Sequence, residues 1–414
     1  MPSPLPPPPS SSRRRIVAAV ALLAAATYLG FALSIWHDFL DLGVYRVGAR
    51  QWLDGGRLYG AMPPVGDIHL PFTYPPLAAI VFAPLAMIPK WAADATMFSL
   101  TLAAVGLTLW LVLARLRPAT DRGTRLTLVV AGVAAAQFLE PVRETLDFGQ
   151  VNALLMAAVA VDTLVRHPRW PRGLLIGIAV SIKLTPAGFL LFFLLRRDWR
   201  GLATAAASTA GSVAVAWVVM PEDSYQYWFR TLAETGRIGT PSYAGNQSLK
   251  GLAYRLGLGE SAGTAVWIVL SLVAVALAAM WMRRLLADDR VCAAVVVNAA
   301  AVLLVSPVSW THHWVWAAPA IAIGAVAVAD GRRGRGFVAA LAFGAALFYL
   351  GPQWWPPHEE DRELAWSWWQ QILGNGYVLF TFATLVTGAF SAYRVRGHND
   401  SPPVTVDTKA ALTA

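Results

Sequence analysis

Long apolar runs, separated by short polar connectors, occupy almost the whole chain. The first run covers residues 16–35, and further runs cover residues 92–114, 126–139, 151–165, 202–220, 263–282, 291–308, 314–329, 337–351 and 376–393. A membrane-spanning helix needs about 20 mostly apolar residues, a length that the shorter runs reach together with their polar flanks. The pattern predicts an all-α, polytopic integral membrane protein without a sizeable soluble domain.

One apolar stretch, residues 173–195, is interrupted near its middle by the sequence KLTP. If this stretch crossed the membrane once, the arginines after it would lie on the opposite side from the other arginine-rich connectors. A hairpin that turns at residues 183–186 removes the conflict, and proline disfavours helical geometry in the residue before it. We therefore predict about twelve membrane elements, with both termini in the cytoplasm.

The charges are placed in a way that sets membrane topology. The net charge is +9, and 21 of the 33 basic residues are arginines in the short connectors. Arginines in short connectors are typical of cytoplasmic loops, so the positive charge does not indicate a nucleic-acid partner. The single cysteine, Cys292, excludes an intramolecular disulfide and a cysteine-based metal site. Residues 1–15 and 397–414 are predicted to be disordered cytoplasmic tails that flank one membrane domain, residues 16–396.

In this topology the polar and aromatic segments gather on the outer face of the membrane. They are residues 37–76, 140–150, the turn at Lys183, and residues 221–262, 306–313 and 352–374. Polar loops on one face are where a membrane enzyme assembles an active site. A transporter would instead be expected to carry paired interrupted helices in two repeated halves, and no repeat is evident.

Two kinds of charged residue in these segments are candidates for chemistry. Asp38 and Asp41 follow the first apolar run, where a carboxylate can act as a general base on a hydroxyl or simply cap a helix. Lys183 is one of four lysines against twenty-nine arginines, and it lies inside an apolar run. A cation there is costly and suits a phosphate ligand, although a lysine at a helix end can also extend to the interface.

The tandem histidines His312 and His313 stand in the sequence SPVSWTHHWVW. Adjacent helical residues point about 100° apart, so a zinc site is weakly supported, and two donors for an anionic lipid headgroup fit better. Other candidates for binding a hydroxyl-rich ligand are Tyr74, Arg143, Asp147, Gln150, Asn152, Asn246, Gln247 and Lys250. These side chains equally suit helix ends and loops, and a structural role is favoured for Tyr74.

Six segments in order, DLGVYRVGA, LPFTYPPLAA, EPVRETLDFGQVNALLM, IKLTPA, NQSLKG and SPVSWTHHWVW, resemble glycosyltransferase family 87. The resemblance implies a C-class glycosyltransferase fold in the plasma membrane, with the active site on the periplasmic face. It implies transfer of mannose from polyprenyl-phosphate mannose to a mannose 2-hydroxyl, which forms an α-(1→2) bond with inversion and requires no cofactor. In these motifs Asp41, Lys183, His312 and His313 match the family's functional positions.

The residues and the resemblance together predict a mechanism. Asp41 removes the proton of the acceptor hydroxyl, and Lys183, with His312 or His313, stabilises the charge on the departing lipid phosphate. Sugar hydroxyls are predicted to be oriented by Gln150, Asn152 and Asn246.

The acceptor stays open between a phosphatidylinositol mannoside and lipomannan or lipoarabinomannan. The segments GARQWLDGGRLYG and WSWWQQILGNGYV slightly favour the type of enzyme that adds branches to lipomannan. Two alternatives are transfer of arabinofuranose from polyprenyl-phosphate arabinose and transport of a lipid or sugar.

Overall fold

A computed structural model describes residues 10–234, 239–331 and 333–391 of the 414-residue chain. Two isolated bridges are the only β pairing in these ranges, so the all-α prediction is confirmed. The α-helices are α1 (Ser10–Ala32), α2 (Leu40–Leu53), α3 (Pro76–Met87), α4 (Lys90–Leu116), α5 (Arg122–Ala136), α6 (Glu140–Asp147), α7 (Asn152–Leu164), α8 (Leu174–Ile182), α9 (Leu190–Arg196), α10 (Trp199–Val219), α11 (Pro221–Phe229), α12 (Leu249–Arg255), α13 (Gly259–Ala287), α14 (Val291–Val305), α15 (Ala317–Ala329), α16 (Arg335–Leu350), α17 (Trp368–Gly374) and α18 (Gly376–Phe390). Short 3₁₀ helices include Thr185–Phe189, Thr231–Ala233 and Thr311–Trp316.

Five helical segments of the described chain are long and apolar enough to cross a membrane. They are α1, α4, α10, α13 and the continuous stretch Thr311–Ala329. The number rises to seven if two bent pairs, α5 with α6 and α17 with α18, each form one span. The protein is therefore a polytopic membrane protein, whereas the count of about twelve elements stays a prediction.

The interior of the bundle contains α7 and α14, most of whose residues are buried. By contrast, α1, α10 and α13 expose many apolar side chains, which is the pattern expected of helices that face lipid. The helix α1 already begins at Ser10, so residues 10–15 are helical and not part of a disordered tail as predicted. The predicted tail 397–414 and residues 1–9 lie outside the described residues.

The predicted interruption of residues 173–195 is present at Lys183. This residue is extended (φ −151°, ψ 130°) and ends α8, and the chain resumes as the 3₁₀ helix Thr185–Phe189 with a proline in its first turn. At the other end of α8, Gly173 has φ +99°, and a Cβ atom there would lie 2.2 Å from the Gly201 carbonyl oxygen. Glycine thus lets α8 begin in contact with α10.

The helix α2 is attached to the end of α6 by backbone hydrogen bonds. The Phe39 amide donates to the Asp147 carbonyl oxygen (2.6 Å), and the Leu42 amide donates to that of Phe148 (3.0 Å). Asp41, between them in the first turn of α2, is thereby held beside the chain that leads from α6 to α7. This attachment brings two segments more than 100 residues apart in sequence to one site.

Candidate active site

A cavity of about 540 Å3 lies where α2, the loop before α3, the interrupted helix at Lys183 and the tandem histidine segment meet. Six of the predicted site residues line it: Asp41, Tyr74, Gln150, Lys183, His312 and His313. The sequence reasoning did not single out other lining residues, including Tyr227, Thr231, Glu234 and Trp310. The first three come from the segment 221–262, in which the sequence analysis singled out only Asn246, Gln247 and Lys250.

Asp41 is partly buried, and its carboxylate accepts a hydrogen bond of 2.6 Å at Oδ2 from Nε2 of Gln150. Burial raises the pKa of Asp41 to about 6, although the Gln150 hydrogen bond and the charge of Lys183 lower it. A carboxylate with this pKa is largely ionised at neutral pH and is more basic than an ordinary aspartate. Asp38, three residues earlier, is exposed, so only one of the two aspartates has the environment of a general base.

A chain of hydrogen bonds orients the amide of Gln150. The Tyr45 hydroxyl donates its proton to Oε1 of Gln150 (2.7 Å). The Tyr74 hydroxyl lies 3.1 Å from the Tyr45 hydroxyl and therefore donates to the Tyr45 oxygen. Burial raises the pKa of both tyrosines, so both phenols stay protonated. Sequence reasoning missed Tyr45, although it lies four residues after Asp41 and hence on the same face of α2.

Lys183 faces the cavity with two neutral hydrogen-bond partners. Its Nζ donates to Oδ1 of Asn152 (2.9 Å) and to Nε2 of His313 (3.0 Å). Because an ammonium group is only a donor, His313 must accept at Nε2, which places the proton of the neutral ring on Nδ1. The ammonium has three protons, so one remains for a ligand in the cavity.

The tandem histidines lie in the 3₁₀ helix Thr311–Trp316, and their ring centroids are 4.9 Å apart at an interplanar angle of 74°. The His312 carbonyl oxygen accepts from Thr145 (2.9 Å) and from Asn152 (3.0 Å), which holds the segment against α6 and α7. The ring nitrogen Nε2 of His312 is buried without a hydrogen-bond partner in the described chain. Both histidines line the cavity.

The amides of Gln150 and Asn152 were predicted to orient sugar hydroxyls, and in the structure both hydrogen-bond to charged residues of the site. Gln150 holds Asp41, and Asn152 joins Lys183 to the His312 carbonyl oxygen. Both side chains are buried, and the bonds occupy donor and acceptor atoms of each amide. Their geometry supports a role in positioning the charged residues.

Two predicted residues of α6 are not among those that line the cavity. Arg143 forms an ion pair with Glu144 (3.2 Å), the next residue in the chain. The carboxylate of Asp147 accepts hydrogen bonds from the backbone amides of His37 (2.8 Å) and Asp38 (3.2 Å). Asp147 therefore helps to attach the start of α2, and neither residue lines the cavity.

Three further predicted residues, Asn246, Gln247 and Lys250, also lie outside the wall of the cavity. Asn246 accepts from the Ser309 amide (3.0 Å) and donates to backbone carbonyl oxygens, while Gln247 donates to the carbonyl oxygen of Gly374 (2.7 Å). Lys250 lies over two aromatic rings. Asn246 thus binds the loop before the histidines and is not among the residues that line the cavity.

The described residues contain no group of three or more His, Cys, Asp or Glu side chains arranged to hold a metal ion. The tandem histidines thus lack a third protein ligand near them in this part of the chain. His313 instead hydrogen-bonds to the ammonium of Lys183. The cavity is therefore lined by a carboxylate, a cation and two imidazoles.

Comparison with known proteins gives this site a family context. Residues 72–307 match the model of glycosyltransferase family 87. Two similar proteins are named polyprenol-phosphate-mannose-dependent alpha-(1-2)-phosphatidylinositol mannoside mannosyltransferase. The one from Mycobacterium tuberculosis is 39% identical, over 85% of this chain and 84% of its own; the one from Mycolicibacterium smegmatis is 42% identical, over 84% and 82%.

A more distant match bears on the arabinose alternative. An alpha-(1->3)-arabinofuranosyltransferase of Corynebacterium glutamicum is 31% identical, over 50% of this chain and 48% of its own. No solved structure matches significantly. The family model covers more than half of the chain, and both mannosyltransferases align with most of it. The chain is a membrane enzyme that belongs to glycosyltransferase family 87.

Proposed function

We propose that this enzyme transfers mannose from polyprenyl-phosphate mannose to the 2-hydroxyl of a mannose in a phosphatidylinositol mannoside. The observation that carries the proposal is the cavity of about 540 Å3 that is lined by Asp41 together with Lys183, His312 and His313. A base and a cation that face one space match the two ends of a glycosyl transfer. The names of the mannosyltransferase relatives supply the donor and the acceptor.

The acceptor hydroxyl is activated by Asp41. Gln150 holds Oδ2 of the carboxylate, and Oδ1 accepts the proton as the hydroxyl oxygen attacks the anomeric carbon. The bond from this carbon to the phosphate oxygen breaks on the opposite face, and its electron pair leaves with the lipid phosphate. A single displacement inverts a β-linked donor into an α-(1→2) product, so no second carboxylate nucleophile is needed.

The departing phosphate is stabilised by Lys183 and the histidine pair. Lys183 is oriented by Asn152 and His313 and directs its third proton at a phosphate oxygen. The charge that develops on the phosphate therefore meets a donor that is already in place, which lowers the barrier. Because the ammonium supplies this charge, the proposed chemistry requires no metal ion, and transfer should persist in EDTA.

The rate of transfer is expected to depend on pH through Asp41. Only the carboxylate form accepts a proton, so kcat should fall as the pH drops below about 6, the pKa of Asp41. The Gln150→Met variant loses a hydrogen bond that lowers this pKa, and its acidic limb should move to higher pH. Steady-state rates between pH 4.5 and 8 in a constant-ionic-strength buffer measure the shift.

Gln51→Met, on the same helix α2 but away from the cavity, is the matched control and should keep the wild-type profile. If Gln150→Met is slower at every pH with an unmoved acidic limb, Gln150 has no effect on the ionisation of Asp41.

We further propose a C-class glycosyltransferase fold of about twelve membrane elements in the plasma membrane, with this cavity open to the outer face. Seven spans are available if the bent pairs count as one each, and five shorter apolar helices add to them. The cavity lies at the end of the bundle opposite to the arginine-rich connectors that follow α4, α7, α13 and α15. Arginine-rich connectors are typical of the cytoplasmic side, which supports this orientation.

The proposed function is tested with membranes that contain the protein and radiolabelled polyprenyl-phosphate mannose. Two acceptors are compared: a mannosylated phosphatidylinositol and a linear α-(1→6) mannan oligosaccharide. We expect label on the phosphatidylinositol mannoside, and an α-(1→2)-specific mannosidase should remove that label. Label on the mannan would support the branching reaction that two sequence segments slightly favour, and label only from polyprenyl-phosphate arabinose would support the arabinose alternative. Uptake of donor without a product would identify a transporter.

A further inference from the structure

A second large cavity, of about 490 Å3, lies among the connectors rich in arginine. Four arginines from four separate segments line it: Arg115, Arg166, Arg290 and Arg333. Arg115 lies in the last turn of α4, Arg166 follows α7, Arg290 follows α13, and Arg333 lies in the connector between α15 and α16. Only the tertiary structure brings these four segments together. The rest of its wall consists of three aspartates, Asp288, Asp289 and Asp330, and of apolar residues that include Leu116, Val291, Ile323, Val326 and Ala327.

This cavity lies at the opposite end of the bundle from the catalytic cavity. The helices α7, α14 and α15 each have one end at the histidine and Lys183 site, at Asn152, Val305 and Trp316. Their other ends adjoin the second cavity. Helices of 13 to 15 residues at about 1.5 Å per residue place the two cavities roughly 20 Å apart. The second cavity is therefore distinct from the catalytic one.

The polar groups of this cavity suit a phosphate that also carries hydroxyl groups. In the described chain, the side-chain hydrogen bond of Arg115 runs from Nε to the Leu164 carbonyl oxygen (2.9 Å), which leaves the two terminal nitrogens of the guanidinium to bind an anion. Asp288 and Asp289, exposed at the end of α13, supply carboxylates that accept hydrogen bonds from hydroxyl groups. An anion without hydroxyl groups would bind to the arginines alone and leave the aspartates without a role.

We propose that this second cavity binds the headgroup of an anionic phospholipid with a hydroxylated headgroup, such as phosphatidylglycerol or phosphatidylinositol. The arginines bind the phosphodiester, the aspartates accept from the headgroup hydroxyls, and the first part of an acyl chain packs on the wall formed by Ile323, Val326 and Ala327. Basic pockets between membrane helices are a known type of lipid site. The role of the lipid is to join the connectors of four segments at this end of the bundle.

The proposal is tested by lipid binding to the purified full-length protein, independently of mannosyl transfer. Delipidated protein in detergent is titrated with dioctanoyl phosphatidylglycerol, and the apparent dissociation constant is taken from the rise of the thermal unfolding midpoint. Dioctanoyl phosphatidylcholine and glycerol 1-phosphate are titrated in parallel. We expect the anionic lipid to raise the midpoint, with little effect of the zwitterionic lipid or of the headgroup without chains.

The pocket variant R115Q/R166Q is expected to bind phosphatidylglycerol about tenfold more weakly or worse, since it loses charge-assisted hydrogen bonds. The matched control R122Q/R169Q removes two exposed arginines from connectors at the same end that do not line the cavity, and it should bind as the wild type does. If the double variant misfolds, R166Q alone replaces an exposed side chain and should still weaken binding.

Three results would overturn the proposal. An equal midpoint shift with phosphatidylcholine would mean unspecific stabilisation by lipid, and an equal shift with glycerol 1-phosphate would mean a site for a soluble anion. Equal losses in the pocket variants and in R122Q/R169Q would mean that total positive charge, and not this cavity, attracts the lipid. Because no readout involves mannose transfer, a negative result in this experiment would not count against the proposed function.

Discussion

Asp41→Asn is expected to reduce mannosyl transfer by about 10²- to 10⁴-fold, the usual contribution of a general base. The amide has nearly the same shape as the carboxylate and can still accept the hydrogen bond from Gln150 at its oxygen. Folding should therefore be preserved, whereas the acceptor hydroxyl loses the group that takes its proton. The measurement is kcat for transfer of radiolabelled mannose to the phosphatidylinositol mannoside at pH 7.5, with the thermal unfolding midpoint as a check of folding.

Asp38→Asn is the matched control for this variant. It removes a carboxylate three residues away, on a side chain that is exposed and does not line the cavity. Its rate should stay close to that of the wild type. Full activity of Asp41→Asn, or an equal loss in both variants, would show that the proton is taken by another group.

The second large effect is expected for Lys183→Met, which should lower kcat by about 10²- to 10³-fold, as removal of one preorganised donor to a developing charge does. Methionine fills a similar volume but supplies no charge to the leaving phosphate. The side-chain oxygen Oδ1 of Asn152 and Nε2 of His313 also lose their donor. The loss should appear mainly in kcat, since the phosphate gains most of its charge in the transition state.

Lys183→Met has a second, independent signature. The charge of Lys183 lowers the pKa of Asp41, so its removal should raise that pKa above about 6 and move the acidic limb of the pH profile to higher pH. Lys250→Met is the matched control, because Lys250 is a lysine of the same outer segments that lies outside the cavity. A large rise in KM with unchanged kcat would mean that Lys183 binds the donor equally well before and during the reaction.

Lys183, which lines the cavity, and Tyr45, which is not among the lining residues, show why sequence patterns identify some residues of the site and not others. Lys183 is evident from sequence because a lysine inside an apolar run is costly unless a function retains it. Tyr45 carries no such signal, since a tyrosine in an amphipathic helix is common in any core. Its importance follows from a hydroxyl 2.7 Å from Gln150, a distance that depends on how α2 packs against the chain after α6.

The polar residues that were predicted to bind sugar illustrate the same limit. Asn152, Asn246 and Asp147 are typical of ligand sites and equally typical of helix ends and loops. The structure pairs each of them with protein groups: Asn152 with Lys183, Asn246 with Ser309, and Asp147 with the amides before α2. A local pattern contains no information on which partner a hydrogen-bonding side chain reaches across the fold.

Sequence alone determined that this is an all-α membrane protein and that the chain breaks at Lys183, and its motifs predicted that Asp41 and the tandem histidines share a site. Each of these follows from local physics or from ordered motifs: apolar length, the position of a proline and a charge in an apolar run. Tertiary structure alone decided that Gln150 holds Asp41, that Asn152 holds Lys183, and that four distant arginines share a cavity. The physical reason is that hydrogen bonds and cavities depend on distances between segments far apart in sequence, which only the packing of the helices sets.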